Sequence, residues 1–213
     1  MKKQMIDLTT WNRTHLFQSY LGTDYPYINA TCNIDVAPLY KYCKEEGISF
    51  YFAMIYITVK MSNEIENFRY RFEGDTPYLV EENVAFATHL EKGFDVFQMV
   101  ECKNYPTIKE AAQKNRENAS IKLKESGLYQ LEGRSDFLHI SSIPWIHYSA
   151  FDRTIAKIGE TNIPKVTYGK FKKEDDKIWM PFSVLTHHGL MDGYHVGLFV
   201  NKIEEYIGNN FSR

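Results

Sequence analysis

The chain has 213 residues, of which 44% are hydrophobic and 24% charged, and a formal net charge of −2 at pH 7. That length suits one domain with a sizeable core, and the near-neutral balance gives no electrostatic footprint for nucleic acid or an anionic membrane surface. The three cysteines, Cys32, Cys43 and Cys102, include no CxxC pair, which argues against a secreted disulfide framework and a thiolate metal site.

The opening stretch, MKKQMIDLTTWNR, has two lysines with no apolar run behind them, so no signal peptide is read. A first helix is expected to follow Thr9 or Thr10 as its cap, with Trp11, Phe17, Tyr20 and Leu21 on its apolar side. Residues 25–34 read as a strand, after which Asp35 caps a helix, VAPLYKYCKEE, that stops at Gly47. Ser49 opens a more buried helix to about Met61. Its apolar run, FYFAMIYITVKM, is too short to span a bilayer and is interrupted by Lys60. FRYRFEGDTPYLV alternates about EGD as a hairpin does, and ENVAFATHLEKGFDVFQMVE adds two strands about Lys92 and Gly93. Thr107 with Glu110 predicts a capping box and a polar helix ending near Gly127. FLHISSIPWIHYSAF reads as a strand broken at Pro144, and KVTYGKFKKEDDKIWMPFSVLTHH as a hairpin turning at 174–176. A final amphipathic helix is expected from about Tyr194 to Ile207. With no repeat or linker, residues 1–213 read as a single domain of a cytoplasmic protein. Helices and strands mixed without a strict βαβ rhythm predict an α+β fold, a two-layer sandwich of helices on a largely antiparallel mixed sheet.

The second arm of the last hairpin delivers LTHHGLMDGYHVGLF, residues 185–199. There His188, Asp192 and Gly193 form an H-x-x-x-D-G pattern at a strand-to-helix junction. A neutral imidazole can take a proton from a hydroxyl as that oxygen attacks an activated carbonyl. Asp192 is equally a natural N-cap for the helix that follows, so the tetrapeptide alone leaves both readings open. No metal-ligand spacing unites His139, His147 and His195, and no metal is expected.

The longer stretch is more specific. It resembles the signature of the chloramphenicol acetyltransferases, close to VHHAVCDGFHVxRF. Further matches lie in register: Trp11–Arg13 with Phe17 and Tyr20 is similar to W-x-R…F…Y, and FYFAMIY to FYPxxIY. ISSIPWIHYSAFD is similar to ISAxPWxxFxSFN/D, and PKVTYGKF…MPFSVLTHH to PxxTMGKY…xPLxxQVHH.

This resemblance implies direct acetyl transfer from acetyl-CoA, with no metal, to chloramphenicol or a related small hydroxyl compound. The second histidine of the pair, His188, would be the general base, and Asp192 would pair with Arg13 to brace its loop. Thr167 matches a threonine that holds a water near the reacting centre. Tyr20 and Phe94 match aromatics of the acceptor pocket, and Ile28 stands where many relatives carry a ring. Lys170 and Phe171 match a lysine and an aromatic beside the coenzyme. The resemblance also implies a homotrimer with each site at a subunit boundary.

One departure concerns the oxyanion. PWxxFxSF carries a serine read as an oxyanion donor, and the ungapped equivalent here is Ala150. Ser149, if on a strand, would face the other way. Three readings follow: the family activity on chloramphenicol, O-acyl transfer to a different hydroxyl acceptor, or a non-catalytic ligand-binding homologue. Retention of His188, Asp192 and Arg13 together argues against the third.

Overall fold

The computed structural model describes residues 2–90, 97–122, 134–155 and 162–212. In chain order the elements begin β1 (Lys3–Met5), α1 (Thr14–Leu21), β2 (Tyr27–Asp35), α2 (Ala37–Glu45) and α3 (Phe50–Asn63). A 3-10 turn (Glu66–Arg69) leads to β3 (Tyr70–Glu73), β4 (Thr76–Val80), β5 (Val84–His89), β6 (Gln98–Cys102) and α4 (Ile108–Lys122). The chain closes with β7 (Phe137–Ile143), β8 (Lys165–Gly169), β9 (Lys172–Glu174), β10 (Lys177–His187) and α5 (Gly193–Phe211).

The main sheet has the order β2-β10-β8-β7-β5-β6, with β9 added on β10. The β8–β7 and β7–β5 pairs are parallel and the others antiparallel, so the sheet is mixed as expected. A second sheet, β1-β4-β3, is built on the hairpin that turns at Gly74, whose φ of 61° suits a glycine.

Side-chain alternation divides the main sheet into two unlike faces. On one, Met180, Phe182 and Val184 of β10, Val166 and Tyr168 of β8, and Leu138 and Ile140 of β7 join a core with α3 and α5. The other carries hydroxyls in a row across five strands. Thr31, Ser183, Thr167 and Ser141 are successive cross-strand partners, and Ser141 Oγ lies 3.0 Å from Thr88 Oγ1 on β5. Thr31 Oγ1 lies 2.8 Å from Ser183 Oγ.

Several boundaries differ from expectation. Asp7, not Thr9 or Thr10, organises the N-terminal turn: its carboxylate accepts from Thr9 N at 2.9 Å and its carbonyl from Trp11 N. Trp11 therefore precedes α1, and Arg13 stands at the helix N-cap. Thr107 Oγ1 accepts from Glu110 N at 3.2 Å, but the Glu110 carboxylate bonds Lys114, so only half of the capping box forms. Gly127 and the Lys92–Gly93 turn lie outside the described residues. The strand after Pro144 is absent, because residues 144–155 adopt turns and irregular backbone.

Arg71 joins the two sheets. It is fully buried and donates to the carbonyls of Phe68, Tyr70, Ser135 and Phe137 and to Asn83 Oδ1, all within 3.0 Å. Burial pulls its guanidinium down to about 9. Arg71→Ala would leave these buried acceptors unsatisfied. The expected loss of unfolding free energy, read by urea denaturation, is about 3–5 kcal/mol.

Candidate active site

Strand β10 ends at His187, and the chain then turns through His188 into α5. The backbone N–H of His188 donates to Pro26 O at 2.8 Å, which ties the turn to the start of β2. The half-buried ring of His188 stacks on Tyr20 of α1, with centroids 4.3 Å apart and planes 18° from parallel. Its Nδ1 is buried without a partner among the described residues, leaving Nε2 as the nitrogen within reach of a reactant.

Arg13 fastens this turn from the head of α1. Nη1 donates to Asp192 Oδ2 at 3.1 Å and Nη2 to the His188 carbonyl at 3.3 Å. The Asp192 side chain also accepts from Tyr194 N at 3.2 Å, so it caps α5 and pairs with Arg13 at once. The structural and the bracing geometries therefore coexist. His195 Nδ1 lies 2.9 Å from Asp192 Oδ1. Burial pushes the Asp192 carboxyl up, but Arg13 and His195 outweigh it and hold it below its ordinary value. With Arg13 buried and the Asp192 side chain one-third exposed (33%), the pair lies between the two regimes of ion-pair energetics. Exposed pairs contribute about 0–1 kcal/mol, and breaking a buried one costs about 3–5 kcal/mol.

His187 is a packing residue. Its Nδ1 accepts from Gly189 N at 3.2 Å, and its ring meets Tyr27 and Phe72 edge-on. Burial first, and His188 second, pull its pKa down to about 4.

Thr167 stands apart from this cluster. It pairs across β10 with Ser183, and from Ser183 to His187 the strand runs about 13 Å at ~3.3 Å per residue. Its buried hydroxyl has no partner among the described residues. Its β7 partner is Ser141, a hydroxyl that sequence reasoning did not single out. Only the parallel β7–β8 register brings the two together, and a single sequence does not display that register. Ala150 is exposed and lies outside any strand, so the alternation argument applied to Ser149 does not hold here.

Lys170 and Phe171 lie farther along, at a break in the ladder. β10 passes from β8 to β9 at Met180 and Pro181, and Pro181 has no N–H to donate there. A cleft of about 1340 Å³ includes this break and is lined by Lys170, Phe171, Phe50, Trp145, Ser141 and Arg153, among others. The Phe171 ring packs edge-on against Tyr40 and Phe50. The loop after Pro144 is fixed to Lys170, since Lys170 N donates to Ile146 O and His147 Nδ1 lies 2.9 Å from Lys170 O. Cations with exposed rings suit a phosphate-bearing adenine coenzyme. Ile28 is half-buried opposite Thr186, two residues after Pro26, and Phe94 lies outside the described residues. No group of three or more metal-ligating side chains occurs among the described residues.

The family model for chloramphenicol acetyltransferase matches residues 1–204. The chain belongs to the chloramphenicol acetyltransferase family. A chloramphenicol acetyltransferase of Staphylococcus aureus is 31% identical over 221 residues, covering 97% of this chain and 100% of the relative. Another, of Clostridium perfringens, is 29% identical and covers 98% and 96%. A solved chloramphenicol acetyltransferase superposes with a TM-score of 0.86 at 22% identity, covering 97% of this chain and all of that one, which shows the shared fold. The protein is thus an acyltransferase of the chloramphenicol acetyltransferase type, a family whose co-substrate is acetyl-CoA.

His187, which is buried, and His139, which is half-buried, set an acid limit on stability. In the unfolded chain a histidine titrates near ~6.5, whereas His187 is held down to about 4 and His139 to about 3. Between those values the unfolded state binds protons that the folded state does not, so stability is complete above pH ~6.5 and falls as pH drops. Urea midpoints from pH 7 to 4.5 should decline, and His187→Asn should make the slope shallower by about one proton.

Proposed function

We propose that the protein transfers the acetyl group of acetyl-CoA directly to a hydroxyl of chloramphenicol or a related small hydroxyl compound, with His188 as general base. The observation that carries this reading is the half-buried His188 ring, stacked on Tyr20, in a turn that Arg13 grips at both Asp192 and the His188 carbonyl. A ring held this way has its Nε2 aimed before an acceptor arrives, which is the preorganisation a base needs.

His188 Nε2 takes the proton of the acceptor hydroxyl as its oxygen attacks the thioester carbonyl. The hydroxyl row at Thr167 and Ser141 supplies hydrogen-bond donors where the carbonyl oxygen gains charge, the role Ala150 has no group to fill. On collapse the C–S bond breaks, and the imidazolium returns its proton to the departing thiolate of CoA. Lys170 and Phe171 hold the coenzyme at the ladder break, while Tyr20 and Ile28 border the acceptor.

The same reading makes the protein a cytoplasmic homotrimer, with the residues of one domain spanning the chain. Support comes from the separation within one chain: His188 stands about 13 Å or more along β10 from the register of Thr167, a gap that the histidine of a neighbouring copy would fill. Sedimentation should give three copies; a monomer with full activity would overturn the shared site. His188→Ala should lower CoA release by roughly 10²–10⁴-fold while acetyl-CoA binding stays unchanged. Equal turnover in that variant would remove His188 from the base role.

A further inference from the structure

The cleft at the ladder break meets a second one of about 640 Å³, and His139, Arg153 and Thr154 line both. The second cleft is ringed by Phe72, Phe137, Ile155 and Ile163 and also receives Lys165. His139 and Lys165 are cross-strand partners on the face that carries Ser141 and Thr167, one pair closer to the His187 end of the sheet. Two residues along a strand is about 7 Å.

Three basic side chains thus converge. Arg153 Nη2 lies 2.7 Å from His139 Nδ1, and Nη1 donates to the carbonyls of His139 and Val166 at 3.0 and 3.4 Å. Lys165 Nζ donates to Thr154 O. These acceptors are all neutral. Among the described residues no carboxylate pairs with Arg153 or Lys165, whereas the acids nearby are engaged elsewhere. Glu73 accepts from Lys3 and Tyr78, and Asp136 and Glu101 both pair with Arg134. Asp152, which favours the Lys165 cation from a distance, accepts from Tyr25 and Asn29.

His139 and Lys165 both register the Arg153 charge. Burial, then Arg153, pulls Lys165 down to about 8, and burial, then Arg153 and Lys165, pulls His139 down to about 3. Half-buried positive charge without a counter-charge is costly, and an anion entering the cleft would relieve it.

We infer that this chain prefers, over a neutral acceptor such as chloramphenicol, an anionic hydroxyl compound, an apolar body whose carboxylate or phosphate is held by Arg153 and Lys165 while its hydroxyl lies at Ser141. This deepens the proposed acetyl transfer and rests on it for the identity of the cleft. A benzene ring bearing the two groups at opposite ends spans a length comparable to that strand repeat, and Phe72 and Phe137 give the cleft an apolar lining.

The test is equilibrium binding, by calorimetry, of 4-(hydroxymethyl)benzoate, 4-(hydroxymethyl)phenyl phosphate and the neutral 4-(hydroxymethyl)benzamide to the intact protein. One or both anions should bind at least roughly 10-fold tighter than the amide, and the stronger of the two identifies the group. Arg153→Leu should erase that preference while amide binding persists. Should Arg153→Leu fail to fold, Lys165→Met carries the same expectation at several-fold. Equal affinities, or no anion binding at millimolar concentration, would overturn the inference. Binding needs no turnover, so an anion that binds but is never acetylated while chloramphenicol is would overturn the anionic acceptor and leave the transfer reaction standing, whereas no acetylation of any of these alcohols would refute the transfer itself. Acetylation of the amide as fast as of both anions would refute the anion preference alone.

Discussion

A one-residue slip of β10 against β8 would carry Phe182 and Val184 out of the core and turn Ser183 inward. The burial of those apolar side chains under α3 and α5 forbids that slip, and every feature of the site inherits the register so defined. Ser183 faces Thr167, Thr167 faces Ser141, and the strand's end leaves His187 packed and His188 in the turn beyond it. At the other end the same strand exchanges β8 for β9, and the ladder gap exposes Lys170. Packing energy on one face therefore sets chemistry on the other.

The charged groups divide into those that serve the fold and those left available. Arg71 is consumed by carbonyls between the two sheets, and Arg134 by Glu101 and Asp136. Arg13 is shared between an ion pair and a main-chain carbonyl, so it constrains both α5 and the turn holding His188. Arg153 and Lys165 differ in having only neutral acceptors among the described residues. A cleft with that excess of positive charge selects ligands by charge before it selects them by shape.

Much of this was legible along the chain. The hairpins at Gly74 and 174–176 follow from local turn chemistry, and α3 starts after Ser49 as its position predicts, although the serine side chain makes no capping hydrogen bond. The Asp192 cap of α5 follows from local capping rules. The Thr9 or Thr10 cap failed because Asp7 takes the first N–H groups, Thr9 N on its carboxylate and Thr10 N and Trp11 N on its carbonyl. The strand expected after Pro144 failed because residues 145–148 bond across to β8 and Lys170, a tertiary demand that local alternation does not record.

The site shows the same division. The order of residues by itself determined that a histidine pair would end a strand, that Asp192 would open a helix, and that the signature was that of an acetyltransferase family. Those are short-range properties, written in spacing and residue type. Only the tertiary structure decided that Ser141 stands beside Thr167, that Tyr20 lies flat on His188, and that Arg153 meets His139 and Lys165. Each joins segments remote in sequence. Their meeting depends on which strands pair, in which direction and at which register, and that is settled by burying the whole apolar face at once.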